Sequence, residues 1–246
     1  MAVVANSYVD LLHSEPAASG PRLRPCPAAA LLIVDHGAGA PRVLMGRRNP
    51  ALAFMPGKYV FPGGRLERAD RAMHAASELG EQALACLTAN GRRSAGAARA
   101  LALAAVRETF EETGILVGER SRSERAHAPS PAWERFAQAE VLPKLDCMHV
   151  IARAVTPPGR PRRFDTVFFS VDARWVVKNG EFSCGLDDEL TELVWAPVAD
   201  PARYDMASIT RVVLHELADA LRTGFERRGP VPFYRMARGR WRRDEI

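Results

Sequence analysis

Arg107-Glu108-Thr109-Phe110-Glu111-Glu112-Thr113-Gly114-Ile115 is the stretch that decides how this chain folds. On an α-helix, positions i, i+3 and i+4 share a face, so Glu108, Glu111 and Glu112 fall within an arc of about 100°. Three carboxylates there repel one another, each pair costing roughly a few tenths of a kcal/mol, and the pattern makes physical sense facing a divalent cation. Arg107 stands one turn before Glu111 and can hold it. Leu103, Val106 and Phe110 recur at helical spacing on the opposite side, the stripe a helix buries against a core. Residues Ala97 to Val106 are nearly all alanine and leucine, strong helix formers, and Gly114 supplies the residue that commonly ends a helix. A glutamate-rich helix taken alone is more often a solvated face. The upstream context reverses that reading.

Upstream lies Gly57-Lys58-Tyr59-Val60-Phe61-Pro62-Gly63-Gly64, a β-type run ending in a turn where backbone can approach a ligand closely. Taken with the helix, it resembles the Nudix hydrolase superfamily. The second half of that family's box, Arg-Glu-aliphatic-any-Glu-Glu-any-Gly-aliphatic, stands here as Arg107 to Ile115, with Thr109 in the aliphatic slot. Asp70 stands where the first half of the box has glutamate, with five residues between it and Gly64, and an insertion at about 68–94 separates the two halves. An insertion at this place is similar to the subgroup of peroxisomal coenzyme A diphosphatase-like Nudix proteins and their bacterial relatives. Arg47-Arg48-Asn49-Pro50, Phe54-Met55-Pro56-Gly57, the turn Arg163-Phe164-Asp165-Thr166 with Phe168-Phe169, and Pro230-Val231-Pro232-Phe233-Tyr234 extend the likeness over about 25–240. Gly57 to Gly64 also matches the end of a coenzyme A-recognition motif, although Ala53 stands where that motif has an arginine.

The resemblance implies an α/β (α+β) Nudix fold, a mixed β-sheet sandwiched between α-helices, with a helical insertion before the catalytic helix. Residues 1–24 are expected as a flexible N-terminal segment and 25–246 as a single domain. Glu108, Glu111 and Glu112 are the expected ligands of Mg2+ or Mn2+, because hard oxygen donors favour these ions over zinc. Glu108 and Glu111, with Arg107 fixing the carboxylates, form the expected catalytic set. Gly63, Gly64 and Arg48 are the expected substrate-binding residues. In Nudix proteins the neighbourhood of Asp187-Asp188-Glu189 and Glu192 can supply an extra carboxylate, and Glu189 is the candidate, against the plainer reading of a solvated acidic turn.

Length and composition fit this assignment without demanding it. A chain of 246 residues with 47% hydrophobic content can bury a sizeable core in one elaborated domain. Formal charge is +5, and lysine occurs only at Lys58, Lys144 and Lys178. Arginine suits phosphates, yet the excess equally fits codon bias, and no DNA partner is expected. Cys26, Cys86, Cys147 and Cys184 show no Cys-x-x-Cys pairing, so neither a zinc site nor a disulfide framework is indicated, and a cytoplasmic location is expected. The first residues lack the basic start and apolar stretch of a signal peptide, and Ala28 to Val34 is far too short to span a membrane. A homodimer is compatible with all of this.

Strands are expected at Ala28 to Asp35 and Val43 to Arg47 around a Gly-rich turn, then near Met148 to Val155, Thr166 to Val171 and Leu190 to Trp195. Within the insertion, Ala72 to Leu87 has helix-forming composition and is expected to cap the pocket. Short and long helices should start at Pro131 and Ser208. His215-Glu216 begins like a zinc-protease helix, but Asp219 replaces the second histidine, so an exposed pair is expected.

A pyrophosphate linkage repels incoming hydroxide, so its hydrolysis requires neutralised charge and a water of lowered pKa. The expected function is metal-dependent hydrolysis of a nucleoside diphosphate linked to another moiety, with coenzyme A or acyl-coenzyme A leading by resemblance. ADP-ribose, NADH and capped RNA are rival substrates. A non-catalytic Nudix-like nucleotide-binding or regulatory protein is the alternative of another class.

Overall fold

The computed structural model describes residues 2–13, 20–21, 23–37, 39–91, 93–121, 128–177, 189–225 and 229–246. Its helices are α1 (Ala2–His13), α2 (Glu81–Thr88), α3 (Ala95–Thr113), α4 (Pro131–Gln138) and α5 (Ser208–Thr223). The strands are β1 (Cys26–Asp35), β2 (Arg42–Arg48), β3 (Tyr59–Val60), β4 (Gly63–Arg65), β5 (Leu116–Val117), β6 (Glu119–Arg120), β7 (Val141–Leu142), β8 (His149–Val155), β9 (Phe164–Asp172), β10 (Val176–Val177), β11 (Leu190–Pro197), β12 (Pro232–Ala237) and β13 (Arg240–Glu245).

A mixed sheet in the order β11-β2-β1-β9-β8-β12-β13, with β3 on β2 and β4 on β1, divides two apolar layers. The unbroken apolar run of β1 explains its central place, since a strand covered on both faces needs no alternation with polar residues. Ala29, Leu31 and Ile33 enter the layer that holds Leu103 and Val106 of α3, while Ala30, Leu32 and Val34 enter the layer that holds Val213 and Leu217 of α5. The expected sandwich of a mixed sheet between helices is what the chain forms. Strand β1 runs parallel to β9, with Cys26 opposite Phe164 and Val34 opposite Asp172, and antiparallel to β4, with Ala29 opposite Gly64.

Helix α3 begins where the Ser94 hydroxyl accepts the Ala97 N–H at 3.2 Å and ends where Gly114 turns left-handed at φ 69°, donating to the Phe110 carbonyl at 2.7 Å. Its alanines let it lie close on the sheet, and it is buried nearly all round rather than along one stripe. The second cover comes from α2 and α4, whose Ala83, Leu87, Trp133 and Phe136 join the same layer.

Four regions differ from expectation. In place of a loose start, Ala2–His13 is a helix: the Tyr8 ring stacks on His215 at 5.2 Å, and Leu12 is buried in the α5 layer. The His215-Glu216 pair is likewise not exposed as a unit, since Glu216 is buried. The insertion forms an α-helix over Glu81–Thr88 with short 3-10 turns at Ala69–Arg71 and Ala89–Gly91, and Met73, Leu79, Ala83 and Leu87 are all buried in the α3 layer. It builds core where a pocket cap was expected, because its apolar residues point to α3. Arg163 to Thr166, expected as a turn, leads into the nine-residue strand β9. Among the described residues no helix is long and apolar enough to cross a membrane.

Candidate active site

The register between β1 and β4 brings Gly63 and Gly64 beneath the last turns of α3. A Cβ on Gly64 would stand 2.5 Å from both carboxylate oxygens of Glu108, and one on Gly63 would stand 2.5 Å from the Ala30 Cα. Glycine is therefore required at both positions for packing: at Gly64 the group approaching the backbone is the protein's own carboxylate. The Gly63 N–H donates to Glu112 Oε2 at 3.0 Å.

Arg107 is 2% exposed and organises the acidic face. Its Nε and Nη2 donate to Asp70 at 2.8 and 3.1 Å, its Nη2 also to the Arg65 carbonyl at 2.8 Å, and its Nη1 to Glu111 at 2.5 Å. Glu108 lies 3.1 Å from the same Nη1. Asp70 is fully buried, and its second oxygen also accepts the Glu67 N–H at 2.8 Å. Sequence reasoning noted Asp70 by its distance from Gly64 but left it out of the expected site. Its partner is Arg107, whose guanidinium is long enough to meet the shorter carboxylate.

Burial pushes the Glu112 carboxyl up to about 8, against the pull of the Gly63 N–H, and pushes Glu108 up to about 7, against the pull of Arg107. Arg107 is held above its usual range, because bonds to Asp70 and the charges of Glu108 and Glu111 outweigh burial.

Arg48 is turned inward: its Nε donates to the Phe54 carbonyl at 2.9 Å, and its Nη2 pairs with Glu189 at 3.2 Å. Glu189 and Arg48 both act electrostatically on Glu112, so the candidate extra carboxylate shares the neighbourhood of the acidic helix. Glu192 instead accepts the Tyr59 hydroxyl at 2.9 Å. Asp187 and Asp188 lie outside the described residues.

Among the described residues no three acidic, histidine or cysteine side chains already form a cage for an ion. The donor chemistry nevertheless fits a divalent cation. Asp70, Glu108, Glu111, Glu112 and Glu189 set five carboxyl groups against the guanidiniums of Arg107 and Arg48, so that full ionisation would leave three negative charges uncompensated, and burial of Glu112 and Glu108 opposes that ionisation. Such an excess is costly unless a cation offsets it, and oxygen donors suit a hard ion.

A scan against models of known families finds no match. The chain is 30% identical to "Acyl-coenzyme A diphosphatase NUDT19" of Gallus gallus, covering 61% of this chain and 56% of that protein, and 29% identical to the Homo sapiens protein of the same name, covering 63% and 52%. The chain thus spans about half the length of the curated relatives it matches. Among solved structures, a Nudix hydrolase from Alicyclobacillus acidocaldarius superposes with a TM-score of 0.60 at 26% identity, covering 81% of this chain and 91% of that one. With its sheet between helices and an Arg107-to-Ile115 signature set against Gly63-Gly64, the chain has the Nudix fold and resembles Nudix hydrolases, the coenzyme A diphosphatase-like proteins among them.

Proposed function

We propose that this chain hydrolyses the pyrophosphate bond of a nucleoside diphosphate linked to another moiety, with coenzyme A or an acyl-coenzyme A as substrate and magnesium or manganese as cofactor. The observation that carries the reading is the pair Glu108 and Glu112: one turn apart, largely buried, against a glycine backbone, in a cluster with surplus negative charge. The substrate class is supported by the names of the similar curated proteins.

Glu108 and Glu112 would hold the ion, with Glu111 as a further ligand or as the group that orients the attacking water. When bound, a divalent cation supplies charge neutralisation and an acidified water. Arg107, locked by Asp70, fixes Glu111 and Glu108 in place from behind, as partners of metal ligands do. The exposed side of Gly63-Gly64 offers backbone to a phosphate, and Arg48 positions Glu189 and the Phe54 loop at the rim. Among the described residues Cys26, Cys86 and Cys147 are in no disulfide, which fits the cytoplasm as the place of action.

The test is turnover of coenzyme A, acyl-coenzyme A, ADP-ribose, NADH and capped RNA by the purified chain, with products resolved by mass. Activity with magnesium or manganese, lost in chelator and unsupported by zinc alone, is the expected result. Full activity in excess chelator overturns the mechanism, and preference for another substrate overturns the coenzyme A assignment.

A further inference from the structure

We propose that Arg93 and Arg153 form a second anion subsite at the catalytic end of the sheet, which receives a phosphomonoester carried by the substrate in addition to its diphosphate. This rests on the hydrolase reading above and specifies which nucleotide that site takes.

Among the described residues, these two guanidiniums share the Asp165 carboxylate. Arg153 meets it through Nε and Nη2, both at 2.7 Å, and Arg93 meets it through Nη2 at 2.8 Å. Two cations on one anion leave a positive charge, although each arginine side chain is only about a tenth exposed. Arg93 Nη1 is buried and has no hydrogen-bond partner among the described residues. A buried charged donor without an acceptor is costly, and a phosphate oxygen is the acceptor that would satisfy it. Burial also pulls the Arg93 guanidinium down against the opposing charge of Asp165.

The surroundings add to the surplus. Arg153 and Arg235 both lie over the Phe233 ring, at 4.4 and 5.8 Å from its centroid. Arg235, paired with Asp244, stands directly opposite Arg242 in the β12–β13 ladder, a like-charge pairing that disfavours the strand contact. The cationic strip thus extends from β9 across β8 and β12 to the sheet edge.

Position makes it reachable by one substrate. Ala29 of β1 is opposite Gly64 on one side and Val167 on the other, so Gly64 and Asp165 lie two strand spacings apart and two residues offset along the strands, about 12 Å. They also share a face. Val167 enters the α3 layer, so Asp165 two residues earlier points the same way, and Gly64 faces Glu108 of α3. A diphosphate at Gly63-Gly64 and a phosphomonoester on the ribose of the same nucleotide span a distance of this order.

Isothermal titration of the full chain with adenosine 3′,5′-bisphosphate and with adenosine 5′-monophosphate, both with magnesium, tests the subsite. The unsubstituted chain should bind the bisphosphate at least about tenfold more tightly. Arg93→Gln, which leaves the Arg153–Asp165 pair intact, should bring the ratio to within about twofold, and Arg93→Lys should keep most of it. Equal affinities in the unsubstituted chain, or a ratio untouched by a folded Arg93→Gln, overturn the subsite. Absence of turnover on every diphosphate overturns the hydrolase reading instead, and a bisphosphate preference that persists would then still support the subsite.

Discussion

On each face of the central sheet an arginine meets a buried carboxylate, Arg107 on the α3 side and Arg243 on the α5 side, and the two clusters differ in charge balance. On the α5 side, Glu216 accepts the Tyr234 hydroxyl at 2.5 Å and pairs with Arg243 at 3.2 Å, and Arg243 reaches the exposed Glu245 at the rim. Here the buried carboxylate is matched by a cation, and the contacts tie α5 to the C-terminal hairpin. On the α3 side, Arg107 faces Asp70, Glu108 and Glu111, with Glu112 and Glu189 close by. The elementary interactions are the same, yet one cluster closes on itself and the other holds an excess of like charge. The balanced cluster is what a fold builds to join elements; the unbalanced one is what the proposed hydrolase needs to hold a cation that is not part of the chain.

The sharpest way to break this contrast is Glu112→Gln. Glutamine keeps the shape and still accepts the Gly63 N–H, but removes one charge from the surplus. Turnover should fall at least about a hundredfold, close to 3 kcal/mol in barrier, while melting temperature in chelator holds or rises. Near-normal rates at saturating magnesium would remove Glu112 from the metal face.

A second experiment separates the insertion from the site. Leu87 is 2% exposed in the α3 layer, so Leu87→Ala should cost about 2.5 kcal/mol of stability and leave the substrate ranking as it was. Denaturant unfolding beside a substrate panel measures both. A changed ranking with unchanged stability would restore the pocket-cap role that the sequence suggested.

The corresponding change in the balanced cluster, Glu216→Gln, should act on stability alone. It leaves Arg243 without its buried counter-charge and should cost about 2 kcal/mol, with the rate per folded molecule within about twofold of normal. A large loss of rate without loss of stability would show that the two faces are coupled.

How far the sequence carries differs between these regions for physical reasons. Helix α3, β1, β2 and α5 were legible because local periodicity, a Ser or Gly at the ends and unbroken apolar runs act over a few residues. The acidic face was legible for the same reason, since helical spacing alone aligns Glu108, Glu111 and Glu112. What Met73 and Leu79 touch was not legible: the segment holding them is irregular, and its burial depends on α3, distant in sequence. The docking of Tyr8 on His215 and the convergence of Arg93 and Arg153 on Asp165 are likewise products of tertiary contact. Arg48 was expected at the substrate by resemblance, and nothing local reveals that its guanidinium turns to Phe54 and Glu189.

The smallest effect concerns Asp70, the position at which the chain departs from the family's glutamate. If the unbalanced cluster needs Arg107 held rigidly, what matters is the pair of bonds from Nε and Nη2 and not the length of the acidic side chain. Asp70→Glu keeps the charge but adds a methylene where nothing is exposed, which should cost about 1 kcal/mol in crowding. Because the charge that holds the guanidinium is kept, the rate should drop by no more than about fivefold. Asp70→Asn, by contrast, keeps the length and loses the charge, and should lower the rate further than Asp70→Glu does. Rates of the two variants, measured at equal folded fraction, decide the point. A greater loss for glutamate than for asparagine would mean that fit, not charge, holds Arg107, and that the aspartate and the arginine's position are matched as a pair in this chain.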